Sequence, residues 1–223
     1  MSRGLFITGT DTGVGKTVVA CALLRGAAAD GFRAVGMKPV ASGIEGHATQ
    51  NADVTALVQA SNVAAPLADV NPYAFAPAIA PHVAAAQCGT RIDLDAIAAA
   101  YARLAAIADV VVVEGAGGAL TPLSDRCDML DIATRLDLSV VLVIGIRLGC
   151  LNHGFLSALA VRARGLQLAG WVANRIDPAM AEAQASIATL ARGVPAPLLA
   201  EVRWCAPGEG VAPLRGVIAP PSA

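Results

Sequence analysis

The amino-acid sequence predicts an α/β fold, a mostly parallel sheet with helices on both faces, and three observations carry that expectation. Continuous apolar runs of strand length recur, as in Asp109 to Val113 and Ser139 to Ile146, the pattern of strands buried on both faces. Longer Ala- and Leu-rich segments with helical periodicity alternate with them. Polar, glycine-bearing motifs then follow the strand ends, where open α/β sheets bind their ligands. A chain of 223 residues is long enough to bury one such core, whereas two independent domains would each be small, so residues 1–223 are expected to form a single domain.

Leu5-Phe6-Ile7 reads as the first strand and Val18 to Ala29 as the first helix. Between them lies Gly9-Thr10-Asp11-Thr12-Gly13-Val14-Gly15-Lys16-Thr17, a phosphate-binding loop in the strand–loop–helix setting that gives the pattern physical content. The glycines let successive backbone N–H groups turn inward on phosphate oxygens, and the helix N-terminus adds its positive end. Lys16 is placed to reach the terminal phosphates and the Thr17 hydroxyl to hold Mg²⁺. The usual first glycine is displaced here, with Thr10 at its position and Gly9 one step earlier. The fold expectation thereby sharpens to a P-loop NTPase-like sheet.

Arg33 to Met37 is the second expected strand, ended by Lys38-Pro39. A polar loop is expected from Ala41 to Asn51, then a short helix from Asp53 to Ala60. Residues 61–90, with Pro66, Pro72, Pro77 and Pro81, read as an irregular excursion with little regular structure. Ile92 to Ala108 is a helix capped by Asp93. The strand Asp109 to Val113 ends at Glu114-Gly115-Ala116-Gly117-Gly118. After the strand Ser139 to Ile146 come a helix over Asn152 to Arg164, a strand over Gln167 to Ala173, a helix over Ala179 to Arg192 and a strand over Pro197 to Val202. The tail from Pro220 is expected to fray.

Composition excludes several classes. Hydrophobic residues are 56% of the chain but aromatics only 4%, so the core is built from Ala, Val, Leu and Ile. Val140 to Ile146 is far too short to span a bilayer, and no signal-peptide-like apolar region follows Arg3. A net charge of −1 gives no electrostatic case for nucleic acid or an anionic membrane. Cys21, Cys88, Cys127, Cys150 and Cys205 are scattered without a CxxC pair, which suggests free thiols in a reducing compartment. His47, His82 and His153 lack metal-ligand spacing. The expectation is a soluble cytoplasmic protein.

Lysine usage points at chemistry. Of 16 basic residues the lysines are Lys16 and Lys38, and the rest are arginine. A compact ammonium on a flexible stem differs from a planar guanidinium where it must slip between phosphate oxygens. Glu114 closes the valine strand, the position for an acid facing a nucleotide-bound Mg²⁺, which prefers oxygen ligands. Asp53 is read two ways, as a further metal ligand or as a helix N-cap. Gly115 to Gly118 permits close backbone approach to phosphate or substrate, or makes a plain tight turn. Asn174-Arg175-Ile176-Asp177 resembles the Asn-Lys-x-Asp element by which many GTPases read guanine, with arginine in the lysine position, and Asn174 suits the edge of any purine.

Taken in order, Gly9 to Thr17, Lys38-Pro39-Val40-Ala41-Ser42-Gly43, Val113-Glu114-Gly115-Ala116-Gly117-Gly118, Leu148-Gly149-Cys150-Leu151-Asn152-His153 and Gly170-Trp171-Val172-Ala173-Asn174 resemble the dethiobiotin synthase family. These are ATP-dependent, ring-closing carboxylases of biotin biosynthesis, and the resemblance runs from Gly4 to Trp204. It implies 7,8-diaminononanoate, CO₂ and MgATP as reactants, and dethiobiotin, ADP and phosphate as products, by way of a carbamate and a carbamic–phosphoric mixed anhydride. It further implies that Lys16 and Lys38, with Mg²⁺, bring the two anions together. Nucleotide contacts fall to Gly13, Val14, Gly15, Lys16, Thr17 and Val18, to Asp53, Glu114, Gly115, Ala116 and Gly117, and to Asn174 and Arg175. Thr17, Asp53 and Glu114 match the metal positions. Thr12 and Ser42 would orient the carbamate and amines, and Gly149, Cys150, Leu151 and Asn152 would receive the distant carboxylate from the second subunit of a homodimer. Gly13 stands where some members carry an acid, Arg203-Trp204-Cys205 where a Pro-Trp segment contacts the base, and Ser186 where some carry a substrate-holding tyrosine. The rival reading is a chromosome- or septum-positioning ATPase, but such proteins carry an extra lysine where this chain has Asp11.

Overall fold

The computed structural model describes residues 2–44, 48, 50–205 and 211–218, and the tail from Pro220 lies outside them. Six strands form one sheet: β1 (Arg3–Gly9), β2 (Ala34–Met37), β5 (Val110–Glu114), β6 (Ser139–Ile146), β7 (Leu168–Arg175) and β8 (Leu198–Val202). Their order is β2-β5-β1-β6-β7-β8, and every pairing is parallel. Each strand therefore needs a crossover, and helices supply the cover on both faces.

The continuous apolar runs are explained by that cover. Val110 and Val112 of β5 pack with Ile7, Val19, Leu23 and Leu57 on the face carrying α1 (Lys16–Ala29) and α2 (Ala52–Ala60). Val111 and Val113 turn the other way, to Phe6, Ile97, Leu104 and Leu130 of the face carrying α5 (Leu94–Ile107) and α6 (Met129–Arg135). Further along that second face, Leu142, Ile144 and Trp171 pack under α7 (Cys150–Ala163) and α8 (Ala183–Gly193). With both faces dry there is no polar alternation to read.

Four points of the sequence reading need correction. The loop expected from Ala41 begins with a strand, β3 (Val40–Ser42), which pairs in parallel with β4 (Tyr73–Phe75) as a separate two-stranded sheet. Residues 61–90 hold more regular structure than their prolines suggested: α3 (Leu67–Val70) and α4 (Pro81–Gln87) flank β4. Pro66 sits at the N-cap of α3 and Pro81 in the first turn of α4, where a missing N–H costs nothing, so here proline starts helices. Helix α6 was not anticipated at all. It has seven residues, too few for a periodic signal, and a reciprocal capping box between Asp128 and Asp131 fixes its start. Helix α8 begins at Ala183, later than the expected Ala179, because Asp177 accepts from the Ala179 N–H at 2.9 Å and holds a turn there. Asp93 caps α5 as expected, accepting from the Asp95 N–H. Among the described residues no helix is long and apolar enough to cross a membrane.

Residues 211–218 lie along α1. The Leu214 N–H donates to Ala22 O at 2.9 Å, and Asp30 accepts from Arg215 Nε at 2.7 Å and the Gly216 N–H at 2.9 Å. Gly26 makes this approach possible, since a Cβ there would stand 2.0 Å from Leu214 O. Two effects oppose each other in Gly26→Ala: helix propensity gains about 1 kcal/mol, and a clash with backbone costs about 1–3 kcal/mol. The clash is expected to win, so the variant should lose about 1 kcal/mol of stability in urea unfolding and expose the 211–218 segment to protease.

Candidate active site

Gly13 and Gly15 hold positive φ of 74° and 85°, which lets the loop after β1 curl back on itself before α1 begins. Its shape is tied from two other strands. Asn174, at the end of β7, donates from Nδ2 to Val14 O at 2.8 Å, and a Cβ on Gly15 would stand 2.0 Å from that same nitrogen. Arg147, just past β6, donates to Asp11 Oδ2 at 2.6 Å, while Asp11 Oδ1 accepts the Thr12 N–H at 2.7 Å. Lys16 is buried and donates to Asp11 O at 2.9 Å. Burial, then the positive charge of Lys38, lower its pKa to about 8.

Lys38 is only 3% exposed and Glu114 not exposed at all. The Lys38 ammonium donates to Asp53 Oδ2 and to Glu114 Oε1, each at 2.6 Å, and Thr17 Oγ1 donates to the same Glu114 oxygen at 2.8 Å. Burial works against the Lys38 charge, but the two carboxylates outweigh it and hold its pKa above the ordinary lysine value. Burial likewise pushes at Asp53, and there Lys38 wins, leaving the carboxyl below the usual range. Asp53 is free for this because it is not the cap of α2: Asn51 is, accepting from the Asp53 N–H. The structure thus removes the capping reading of Asp53, whose carboxylate accepts from Lys38 instead.

These groups line one cavity of about 720 Å³. Of the residues singled out in the sequence, Thr12, Gly13, Gly15, Lys16, Thr17, Val18, Lys38, Ser42, Asp53, Glu114, Ala116 and Gly117 meet there. Ser42 Oγ is buried and has no hydrogen-bond partner among the described residues. Val14 and Gly115 are buried behind the wall, Gly115 against the Phe6 ring. Sequence reading missed Thr121, whose hydroxyl accepts the Gly118 N–H at 2.8 Å, and the apolar wall Ala78-Ile79-Ala80-Pro81. A periodic or charged signal marks neither.

Arg175 borders a second cavity, also about 720 Å³, at the ends of β7 and β8. It donates to Glu201 at 2.7 Å and Gln184 at 2.6 Å, and Asp177, Arg203 and Trp204 share the lining. Gly149, Cys150, Leu151 and Asn152 are not among the residues lining either cavity. They form the cap and first turn of α7, with Gly149 left-handed at φ 93°. Beside them Leu148 is 92% exposed, and Leu156 and Leu159 on the same helix are also open to solvent.

The donor set suits a magnesium ion. Thr17 offers a hydroxyl, Asp53 and Glu114 offer carboxylates, and Glu114 Oε2 is buried with no hydrogen-bond partner among the described residues. Among the described residues no group of three or more His, Cys, Asp or Glu is placed to hold a metal ion.

A family described as an AAA domain matches residues 3–208. The ATP-dependent dethiobiotin synthetase BioD of Nitrosospira multiformis is 52% identical over 199 residues, covering 89% of this chain and 87% of that one. The protein of that name from Aromatoleum aromaticum is 50% identical over 218 residues, covering 96% and 97%. ATP-dependent dethiobiotin synthetase BioD 1 of Escherichia coli K12 is 47% identical, covering 92% of each. Among solved structures, the septum site-determining protein MinD of Pyrococcus horikoshii, complexed with Mg-ADP, has a TM-score of 0.59 at 15% identity, covering 91% of this chain and 82% of that one. A ParA family ATPase of Chlorobium tepidum has a TM-score of 0.55 at 12% identity, covering 92% and 84%. The last two share the fold.

Removing Lys38 would strand a buried carboxylate. Lys38→Met is expected to cost about 3–5 kcal/mol in urea unfolding without nucleotide. Burial holds the Glu114 carboxyl above its unfolded value, so its charge is penalised in the folded protein, and the cost should grow as pH rises through the carboxylate range. The pair Lys38→Met with Glu114→Gln should recover much of the loss and flatten the pH dependence.

Proposed function

Since this chain belongs to the ATP-dependent dethiobiotin synthetase family, we propose that it closes the cyclic urea of dethiobiotin from 7,8-diaminononanoate, CO₂ and ATP. One observation of the site carries the reading: the phosphate loop and the Lys38–Glu114–Asp53 cluster open on the same cavity, so an anion on the loop and a second anion at Lys38 lie within one enclosure.

One amine takes up CO₂ and releases a proton, leaving a carbamate. A carbamate oxygen then attacks the γ-phosphorus and ADP leaves. The second amine attacks the carbonyl carbon of the mixed anhydride, phosphate leaves, and the ring closes. Carbamate and γ-phosphate are both anions, so most of the work is neutralisation and alignment. Lys16 and the N–H groups of Gly13, Val14, Gly15, Thr17 and Val18 hold the phosphates, and Lys38 bridges γ-phosphate and carbamate. Ser42 Oγ, with no hydrogen-bond partner among the described residues, and Thr12 meet the carbamate and amines. Thr17, Asp53 and Glu114 would hold Mg²⁺, which when bound supplies charge neutralisation on the phosphates. Gly115, Ala116 and Gly117 lie against the nucleotide. Arg175, which borders the second cavity, would face adenine there, and Asn174, buried with its Nδ2 spent on the loop, would meet the base through its remaining amide oxygen.

Residues 1–223 would act as one domain, and the enzyme as a homodimer of the cytoplasm. Support for the dimer comes from the exposed Leu148, Leu156 and Leu159, which flank the Gly149-Cys150-Leu151-Asn152 turn. That turn would receive the carboxylate of the diamine bound to the partner.

Phosphate release by the purified protein is expected only when both diamine and a CO₂ source accompany MgATP, and Lys38→Gln should lower it by about 10²–10³-fold while sparing ATP binding. Hydrolysis at the same rate without diamine would instead point to a switch ATPase. A second outcome follows from Lys16, whose pKa of about 8 in the free protein must rise when phosphate binds beside it. ATP affinity should therefore be full below that pKa and fall as pH rises through it. Calorimetry in buffers of different ionisation heat should find uptake of roughly three-quarters of a proton at about pH 8.5, abolished in Lys16→Met.

A further inference from the structure

We propose that Asn51 and Asn71, neither of which lines the cavity, are positioning residues: their side-chain amides pin the two ends of β3 and so fix the spacing between the Lys38 ammonium and the Ser42 hydroxyl. The inference rests on the ring-closing reading above and deepens it.

Strand β3 has three residues and, among the described residues, pairs with the three of β4 alone. A ladder that short does not hold its register unaided. Yet it lies between the two side chains that must face the carbamate, Lys38 just before it and Ser42 at its end.

At the first end, Asn71 Nδ2 donates to Lys38 O at 2.6 Å and to Tyr73 O at 3.1 Å, so one amide spans both strands. The Lys38 N–H donates to Val70 O at 2.8 Å and the Tyr73 N–H to Pro39 O at 3.1 Å, and these close the same corner. At the other end, Asn51 Nδ2 donates to Gly43 O at 2.6 Å and Ser42 O at 3.2 Å. Its Oδ1 accepts the Asp53 N–H at 3.0 Å as the cap of α2. Asp53 in turn reaches Lys38 at 2.6 Å. The result is a closed circuit: Lys38, β3, Ser42, Asn51, Asp53 and back to Lys38.

Only a side chain with both a donor and an acceptor can serve Asn51's two ends. Serine or aspartate would cap the helix as well as asparagine does. Serine is too short to reach the Gly43 and Ser42 carbonyls, and aspartate would set a carboxylate oxygen against them. The residue type therefore follows from the strand tie and not from the helix. Misplacing a reacting group by about 1 Å costs on the order of 10²-fold in rate.

Asn51→Ser keeps the cap and removes the tie, and Asn71→Ala releases the other corner. Amide exchange followed by NMR on the full chain should show the Gly43 and Ile44 N–H groups, which donate to Phe75 O and Ala76 O, exchanging about tenfold faster in Asn51→Ser, with α2 still protected. The Tyr73 N–H should respond in the same way in Asn71→Ala. In the diamine-dependent phosphate assay each variant should lose about tenfold or more in kcat, with ATP affinity within about twofold of the parent. Unchanged exchange at these amides would overturn the inference. So would faster exchange with unchanged kcat, or a parallel loss of ATP affinity and turnover, which marks a general structural role. Should the parent turn over ATP without diamine, the functional reading falls, and the exchange rates still decide whether the two amides hold β3.

Discussion

A single buried ammonium, that of Lys38, sits 2.6 Å from two carboxylates contributed by different layers of the molecule, and the site is organised around it. Glu114 comes from the end of a central strand, Asp53 from the first turn of a helix, and Lys38 from the end of the strand next to Glu114. Taking these charges out of water costs several kcal/mol per ion, and pairing them recovers little beyond that. An apolar trio of similar size would fill the space at no such cost. The arrangement is therefore better understood as a store of oriented charge than as a source of stability. It keeps a cation fixed in a low-dielectric enclosure, where it acts strongly on any anion brought beside it.

The two lysines show how far environment decides behaviour. Both are buried and both face the same cavity, yet burial and a like-charged neighbour lower the pKa of Lys16 to about 8, while two carboxylates hold Lys38 above its ordinary value. Among the described residues Lys16 donates to a carbonyl oxygen, that of Asp11, and makes no ion pair, whereas Lys38 pairs with two carboxylates. The loop that carries Lys16 is held open for that anion from outside, by Asn174 beneath Val14 and by Arg147 beside Asp11. Both ties come from the ends of β6 and β7, the next two strands beyond β1 on one side of the sheet, so the parallel topology itself brings them to the loop.

Much of this was legible in the chain. Strands buried on both faces announce themselves as unbroken apolar runs, and the Gly13–Gly15 loop followed by Lys16 and Thr17 cannot easily be anything but a phosphate cradle. Short elements escaped: α6 has too few residues for a period, β3 and β4 too few for an alternation, and the prolines of residues 61–90 open helices they seemed to forbid. The wall Ala78-Ile79-Ala80-Pro81 was silent because apolar residues at a cavity look, in sequence, like apolar residues in a core.

By itself the sequence determined the kind of fold and singled out candidate residues for its chemistry, because period and residue type are local properties that the chain carries wherever it goes. It left Asp53 with two roles, because capping a helix and holding a metal ion ask for the same carboxylate. Tertiary structure alone removed the capping role, by giving the cap to Asn51, and it brought Lys38 within 2.6 Å of both Asp53 and Glu114 from positions far apart in the chain. Distance along the chain says nothing about distance in space, and electrostatic roles depend only on the second.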